Sequence, residues 1–173
     1  MKYSILTYKT LSRSVALALL ILFSTACEQS QQQTMVSPEP TNTTTQAHTA
    51  PEIVVYKSPT CGCCAKWNDH LSDAGFIVEA HDMDDMNAIK GQHGLPADLR
   101  SCHTAIVDGY VIEGHVPAAD IQKLLQARPD IKGLAVPGMP LGSPGMEHPN
   151  PQAYEVIAWE ADGTRSVFSE HGP

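Results

Sequence analysis

Three cysteines within four residues, Cys61-Gly62-Cys63-Cys64, stand between two different hydrophobic patterns. Before them, Ile53-Val54-Val55-Tyr56 is a short β-branched run of the kind that forms a buried strand, and Ser58-Pro59-Thr60 breaks it. After them, AKWNDHLSDAG places Trp67, Leu71 and Ala74 at helical spacing, with Gly75 as a C-terminal stop. The cysteines therefore sit at a strand-to-helix turn. There the unpaired N–H groups and the positive end of the helix dipole favour thiolate.

The rest of the chain extends this frame. Phe76-Ile77-Val78 begins a second strand running to about His81, and Asp82 to Lys90 reads as a second, shorter helix. Thr104–Val107 and Tyr110–Glu113 read as strands joined at Asp108-Gly109, a strong hairpin signal. A third helix opens at Val116-Pro117, with Ile121, Leu124 and Leu125 on one face. Beyond it, IKGLAVPGMPLGSPGMEHPNP reads as a Pro/Gly-rich loop of about twenty residues, long enough to suggest function. Tyr154–Glu160 and Thr164–Ser169 read as one more hairpin. Strand–helix–strand calls for a parallel pair, and the hairpins add antiparallel strands. The expectation is an α/β fold, a thioredoxin-like mixed sheet flanked by helices, with an extra C-terminal loop and β-hairpin.

The N-terminal part reads differently. Lys2, Lys9 and Arg13 precede an uncharged apolar run from Val15 to Phe23, and Ser24-Thr25-Ala26 offers a cleavage site, so residues 1–26 read as a signal peptide. The run is shorter than the about 20 residues of a membrane span. Residues 27–51 are Gln/Thr/Pro-rich and almost free of bulky apolar side chains, so they read as a disordered linker ahead of a domain at 52–173. Removing residues 1–26 takes three of the eleven basic residues and none of the nineteen acidic ones, so a charge of -8 becomes -11. That balance excludes nucleic acid and anionic membrane surfaces as partners, which select basic faces.

Three readings of the cysteines differ in chemistry. Cys61 and Cys64 have the C-x-x-C spacing of thiol–disulfide enzymes, in which one thiolate attacks and the other resolves. Cys63 is surplus to that chemistry, and three soft thiolates in one turn can instead converge on a metal. Cys102-His103 falls just before the third strand, where thioredoxin-like proteins carry a cis-proline loop facing the C-x-x-C. Here His103 holds the proline's position, and a Cys-His pair there suits metal ligation. The third reading is structural, since four cysteines in an exported domain ordinarily form two disulfides. Adjacent Cys63 and Cys64 suit such stapling poorly. His115 lies at the edge of the same groove, with a capping or surface role as its alternative. Met139 and Met146, in two PGM repeats, offer thioether sulfur, a Cu(I) ligand type, or ordinary gap-filling. His70, His81, His93, His148 and His171 show no metal-site spacing and read as surface or supporting residues.

The combination YKSPTCGCCAKW, SCHTAIVDGYVIEGHVPAADI and GLAVPGMPLGSPGME closely resembles the CopG-type periplasmic proteins of bacterial copper-resistance operons. The resemblance runs from about Ile53 to the C-terminus. It implies a remodelled thioredoxin fold that binds copper as a multinuclear Cu(I)–thiolate centre and cycles it between oxidation states. Cys61, Cys63, Cys64 and Cys102 then belong to the site, with His103 and His115 nearby and Met139 and Met146 as motif matches. Copper ions, and periplasmic copper-transport or redox proteins, become the expected partners. The alternatives are a thiol–disulfide oxidoreductase using Cys61 and Cys64, and a zinc or generic metal-binding module. Separately, the small residues before Cys27 resemble a bacterial lipobox, which implies lipidation of Cys27 and tethering to the outer membrane. Ser24 stands where that pattern usually has Leu, and simple cleavage after Ala26 is the alternative.

Overall fold

The computed structural model describes residues 49–173; Cys27, the expected signal peptide and nearly all of the expected linker lie outside them. The order is β1 (Glu52–Lys57), α1 (Gly62–Asp73), β2 (Ile77–Asp82), α2 (Met86–Gln92), a single 3-10 turn (Ala97–Leu99), β3 (His103–Val107), β4 (Tyr110–Glu113), α3 (Ala118–Ala127), β5 (Gly133–Ala135), β6 (Tyr154–Trp159) and β7 (Arg165–His171). The strands form one mixed sheet in the order β2-β1-β3-β4-β5-β6-β7. β1 pairs with β2 in parallel, and β1–β3, β3–β4, β5–β6 and β6–β7 are antiparallel. This is the expected α/β class with a C-terminal hairpin.

Strand alternation explains the layers, because successive side chains leave opposite faces of a sheet. Ile53, Val55, Ala105, Val107, Ile112, Leu134, Val156 and Ala158 share one cluster with Trp67 and Leu71 of α1 and Ile121 and Leu124 of α3. The intervening Ile106, Val111, Ala135, Ile157 and Trp159 pack with Leu95 and Leu99 on the other face. The two helices of the first layer are also tied directly. Trp67, fully buried, donates its indole N–H to the Val116 carbonyl at 2.9 Å, and the Ala118 N–H donates to His70 Nε2 at 3.0 Å.

Two sequence expectations need correction. The second helix starts at Met86 rather than Asp82, because Asp82 still pairs with Lys57 in β2 and Asp85 caps the helix, accepting the Asn87 N–H at 2.9 Å. The segment expected to be wholly loop contains β5, parallel to β4, with Gly133 opposite Val111. A side chain at Gly133 would place its Cβ 1.8 Å from the Val111 carbonyl oxygen, so only glycine lets this strand approach. Three residues are too few to show a strand's periodicity.

Candidate metal centre

The turn after β1 is closed by a hydrogen bond from the Cys61 N–H to the Ser58 carbonyl at 3.1 Å, and Cys61 then caps α1, its carbonyl accepting the Ala65 N–H at 3.2 Å. Cys63 and Cys64 consequently occupy the first turn of the helix. Facing them is the Ser101-Cys102 loop that leads into β3. The Ser101 N–H donates to Glu113 Oε1, and its hydroxyl donates to the Gly138 carbonyl. Alternation along β3 then sends His103 toward α1 and Thr104 toward α2. The His103 ring lies against Trp67 with centroids 4.3 Å apart, and Thr104 Oγ1 meets Lys90 Nζ at 3.0 Å.

The donor atoms converge in two overlapping groups. The sulfurs of Cys61, Cys63, Cys64 and Cys102 all lie within 4.8 Å of one another, and so do the donors of Cys102, His103 and His115. Cys102 Sγ belongs to both, 3.3 Å from His103 Nδ1 and 3.1 Å from His115 Nε2. Cys61 and Cys64 are joined in a disulfide, while Cys63 and Cys102 are free thiols; Cys63 Sγ lies 3.5 Å from Cys61 Sγ. Of the two disulfides that four cysteines could form, one is present. Cys64, His103 and His115 are fully buried, and Cys61, Cys63 and Cys102 are half-buried.

Hydrogen bonding settles the His115 tautomer. Its Nδ1 meets the Pro144 carbonyl at 2.7 Å, and a carbonyl only accepts, so Nδ1 carries the proton. Nε2 is left with its lone pair turned to Cys102 Sγ. This is the arrangement by which an outer hydrogen bond orients a ligating imidazole. Burial pushes His103 down to about 3, helped by the neighbouring His115 and Lys90, and burial also lowers His115. Both rings are therefore neutral near pH 7. His103 Nε2 has no hydrogen-bond partner, a buried polar atom left over by the protein's own contacts. Cys102, in a loop rather than at a helix terminus, is pushed up to about 11 by burial and then by Cys63. Neutral imidazoles and clustered thiols are a donor set for soft or borderline metal ions.

The loop after β5 covers this cluster. Gly145 has φ +83°, and a Cβ there would lie 2.6 Å from the Cys63 carbonyl oxygen and 3.0 Å from the Trp67 nitrogen. Glycine thus lets the backbone rest on the first turn of α1. Met146 beside it is half-buried, whereas Met139 is exposed.

Beneath the Cys102 loop lies a network that spacing alone does not reveal. Glu113, fully buried, takes Lys90 Nζ at 2.5 Å and the Ser101 N–H on Oε1, and the Thr104 hydroxyl at 2.7 Å on Oε2. The visible signal is one acidic residue ending an apolar strand; its partner lies on another element. Among the other histidines, His70 holds the N-terminus of α3, and His171 Nε2 meets Asp120 at 2.6 Å. His81 is exposed beside Glu79. None of these three joins the cysteine groups.

A family described as a protein of unknown function, DUF411, matches residues 99–146, the stretch from Leu99 through Cys102, His103 and His115 to Met146. No curated protein matches the chain. A solved structure titled copper resistance protein CopG, Form 2, is 47% identical over 71% of this chain and 99% of its own, with a TM-score of 0.68. The chain belongs to the CopG-type copper-resistance family. Form 1 of that protein agrees, at 47% identity, 70% and 98% coverage and a TM-score of 0.67. Family membership thus rests on nearly the whole length of the solved CopG protein.

Proposed function

We propose that this CopG-family chain handles copper, taking Cu(I) as cargo on Cys61, Cys63, Cys64 and Cys102 when all four are thiols, with His103 and His115 as the nitrogen donors. One observation carries the reading: Cys102 Sγ belongs at once to a four-sulfur group and to a Cys-His-His group, each within 4.8 Å. Thiolate sulfur selects Cu(I), and imidazole also accepts copper, so the donor set suits a multinuclear site that exchanges electrons. The strand–helix–strand opening followed by a hairpin and helix supports a thioredoxin-like ancestry, with Cys102-His103 replacing the loop that guides a disulfide substrate. Met139 and Met146 flank the loop over the site and serve as auxiliary thioether donors. We place the mature protein in the periplasm, freed of residues 1–26, with 27–51 as a tether from lipidated Cys27 at the outer membrane.

Anaerobic titration of the reduced protein against a Cu(I)-specific chelator tests the reading. The protein should compete for more than one ion per chain, and replacing Cys61, Cys63 and Cys64 with Ser should cut that competition to at most one ion. Failure to compete would reject it.

A second reading has its own support. The Cys61–Cys64 disulfide is the oxidised form of a C-x-x-C pair, as in a thiol–disulfide oxidoreductase. That enzyme would keep its turnover in Cys63→Ser, whereas a copper–thiolate centre would lose affinity or stoichiometry.

A further inference from the structure

The copper reading leaves open how the metal answers to thiol oxidation. The two donor groups share Cys102 but depend unequally on Cys61 and Cys64. A sulfur bonded to another sulfur carries no thiolate charge, and the thiolate is the metal ligand. Once Cys61 and Cys64 are bridged, the four-sulfur group keeps Cys63 and Cys102 alone. The Cys102, His103 and His115 group loses nothing. Its sulfur is free, and its imidazole nitrogens stay 3.3 and 3.1 Å from that sulfur in the disulfide form itself. His115 is further held by Pro144 through its other nitrogen, a contact independent of Cys61 and Cys64.

We propose that thiol oxidation partitions this centre: closing the Cys61–Cys64 bridge empties the sulfur-rich position, while Cys102, His103 and His115 retain one copper ion. The inference rests on the copper reading above. The oxidant is a disulfide. Two thiolates, Cys61-S⁻ and Cys64-S⁻, give up one electron each and form one S–S bond. The external disulfide RSSR accepts both electrons and leaves as two RS⁻, so charge and atoms balance. Copper is not oxidised in this step; Cu(I) released from the sulfur-rich position leaves on the two thiolates, RS⁻, that the oxidant becomes. A site of two imidazoles and one thiolate differs in kind from the position it survives, since that donor set serves both oxidation states of copper. The chain therefore discharges part of its cargo and keeps the rest, with the thiol state of one C-x-x-C pair as the control.

The test uses the full chain carrying Cys27→Ser, so that the four described cysteines are its only thiols. Reduced protein and protein treated with oxidised glutathione are each titrated anaerobically with Cu(I) against a competing chelator, the bridge being verified by peptide mass. Reduced protein should hold more than one copper ion, and bridged protein one. X-ray absorption of the bridged, loaded protein should show imidazole scattering, and His115→Gln should remove that ion while the reduced variant still loads its sulfur position. The absorption measurement needs no variant, so it decides the question even where His115→Gln misfolds. Bridged protein that binds no copper, binds as much as the reduced form, or binds through sulfur alone overturns the partition. If reduced protein also binds nothing, the copper reading falls with it.

Discussion

Replacing Lys90 with Met should cost this fold a large share of its stability, although Lys90 Nζ bonds to Thr104 and Glu113 rather than to any described cysteine. Lys90 and Glu113 are 5% and 0% exposed at their side chains and meet at 2.5 Å, so water cannot take over when one partner is lost. Met fills nearly the same space but leaves the Glu113 carboxylate buried with only the Ser101 N–H and the Thr104 hydroxyl. Breaking a buried pair from one side costs about 3–5 kcal/mol. That is a substantial fraction of the roughly 5–15 kcal/mol that holds a domain folded. With a urea dependence of about 2 kcal/mol per molar, the midpoint should fall by about 1.5–2.5 M. Adding Glu113→Gln removes the orphaned charge and should recover at least half of the loss. Urea unfolding of the metal-free parent, single and double variants, followed by circular dichroism, measures both steps. A loss below about 1 kcal/mol in Lys90→Met, the scale of an exposed pair, would show that the Lys90–Glu113 pair is not energetically buried. Because Glu113 also anchors Ser101, the single variant should loosen the approach of Cys102 to the other donors.

The metal-free protein should weaken in acid. His103 is held at about 3 in the folded chain against an ordinary 6.5, so the unfolded chain takes up the proton first. This contribution is fully present above pH 6.5 and is lost as pH falls toward 3, by up to about 1.4 kcal/mol per pH unit. Urea unfolding at pH 7, 6 and 5 should show the decline, and His103→Phe should make it shallower; equal slopes would contradict the assignment. Gly145→Ala should lift the covering loop from α1, because its Cβ meets backbone atoms of Cys63 and Trp67 and its φ is +83°. A stability loss of about 1–3 kcal/mol in thermal melts and faster thiol labelling of Cys63 are expected, and parental values in both would contradict the packing.

Local chemistry makes much of this architecture legible in the sequence. The Asp108-Gly109 hairpin is the clearest case: both residues have positive φ, 48° and 85°, as the tightest hairpin turn demands. The β1–cysteine–α1 turn is equally plain, because β-branched residues give way to helical spacing at the cysteines. β5 is not legible, because three residues carry no period and its neighbour β4 is distant in sequence. The Lys90–Glu113 pair is hidden for a related reason: burial of two charges shows only once α2 and β4 are side by side. Cys102, His103 and His115 each stand out as candidate ligands by residue type and position. Their common meeting point, and the orientation of His115 by Pro144, depend on a loop whose course glycine sets.

The Cu(I) stoichiometry of Cys102→Ser bears most directly on the centre, since its sulfur alone belongs to both donor groups. The reduced parent and variant should be titrated side by side against a Cu(I) chelator, with circular dichroism confirming that both are folded. The variant should lose at least one copper ion per chain and bind the remainder more weakly. A folded Cys102→Ser protein that matches the parent in both number and affinity would contradict that expectation.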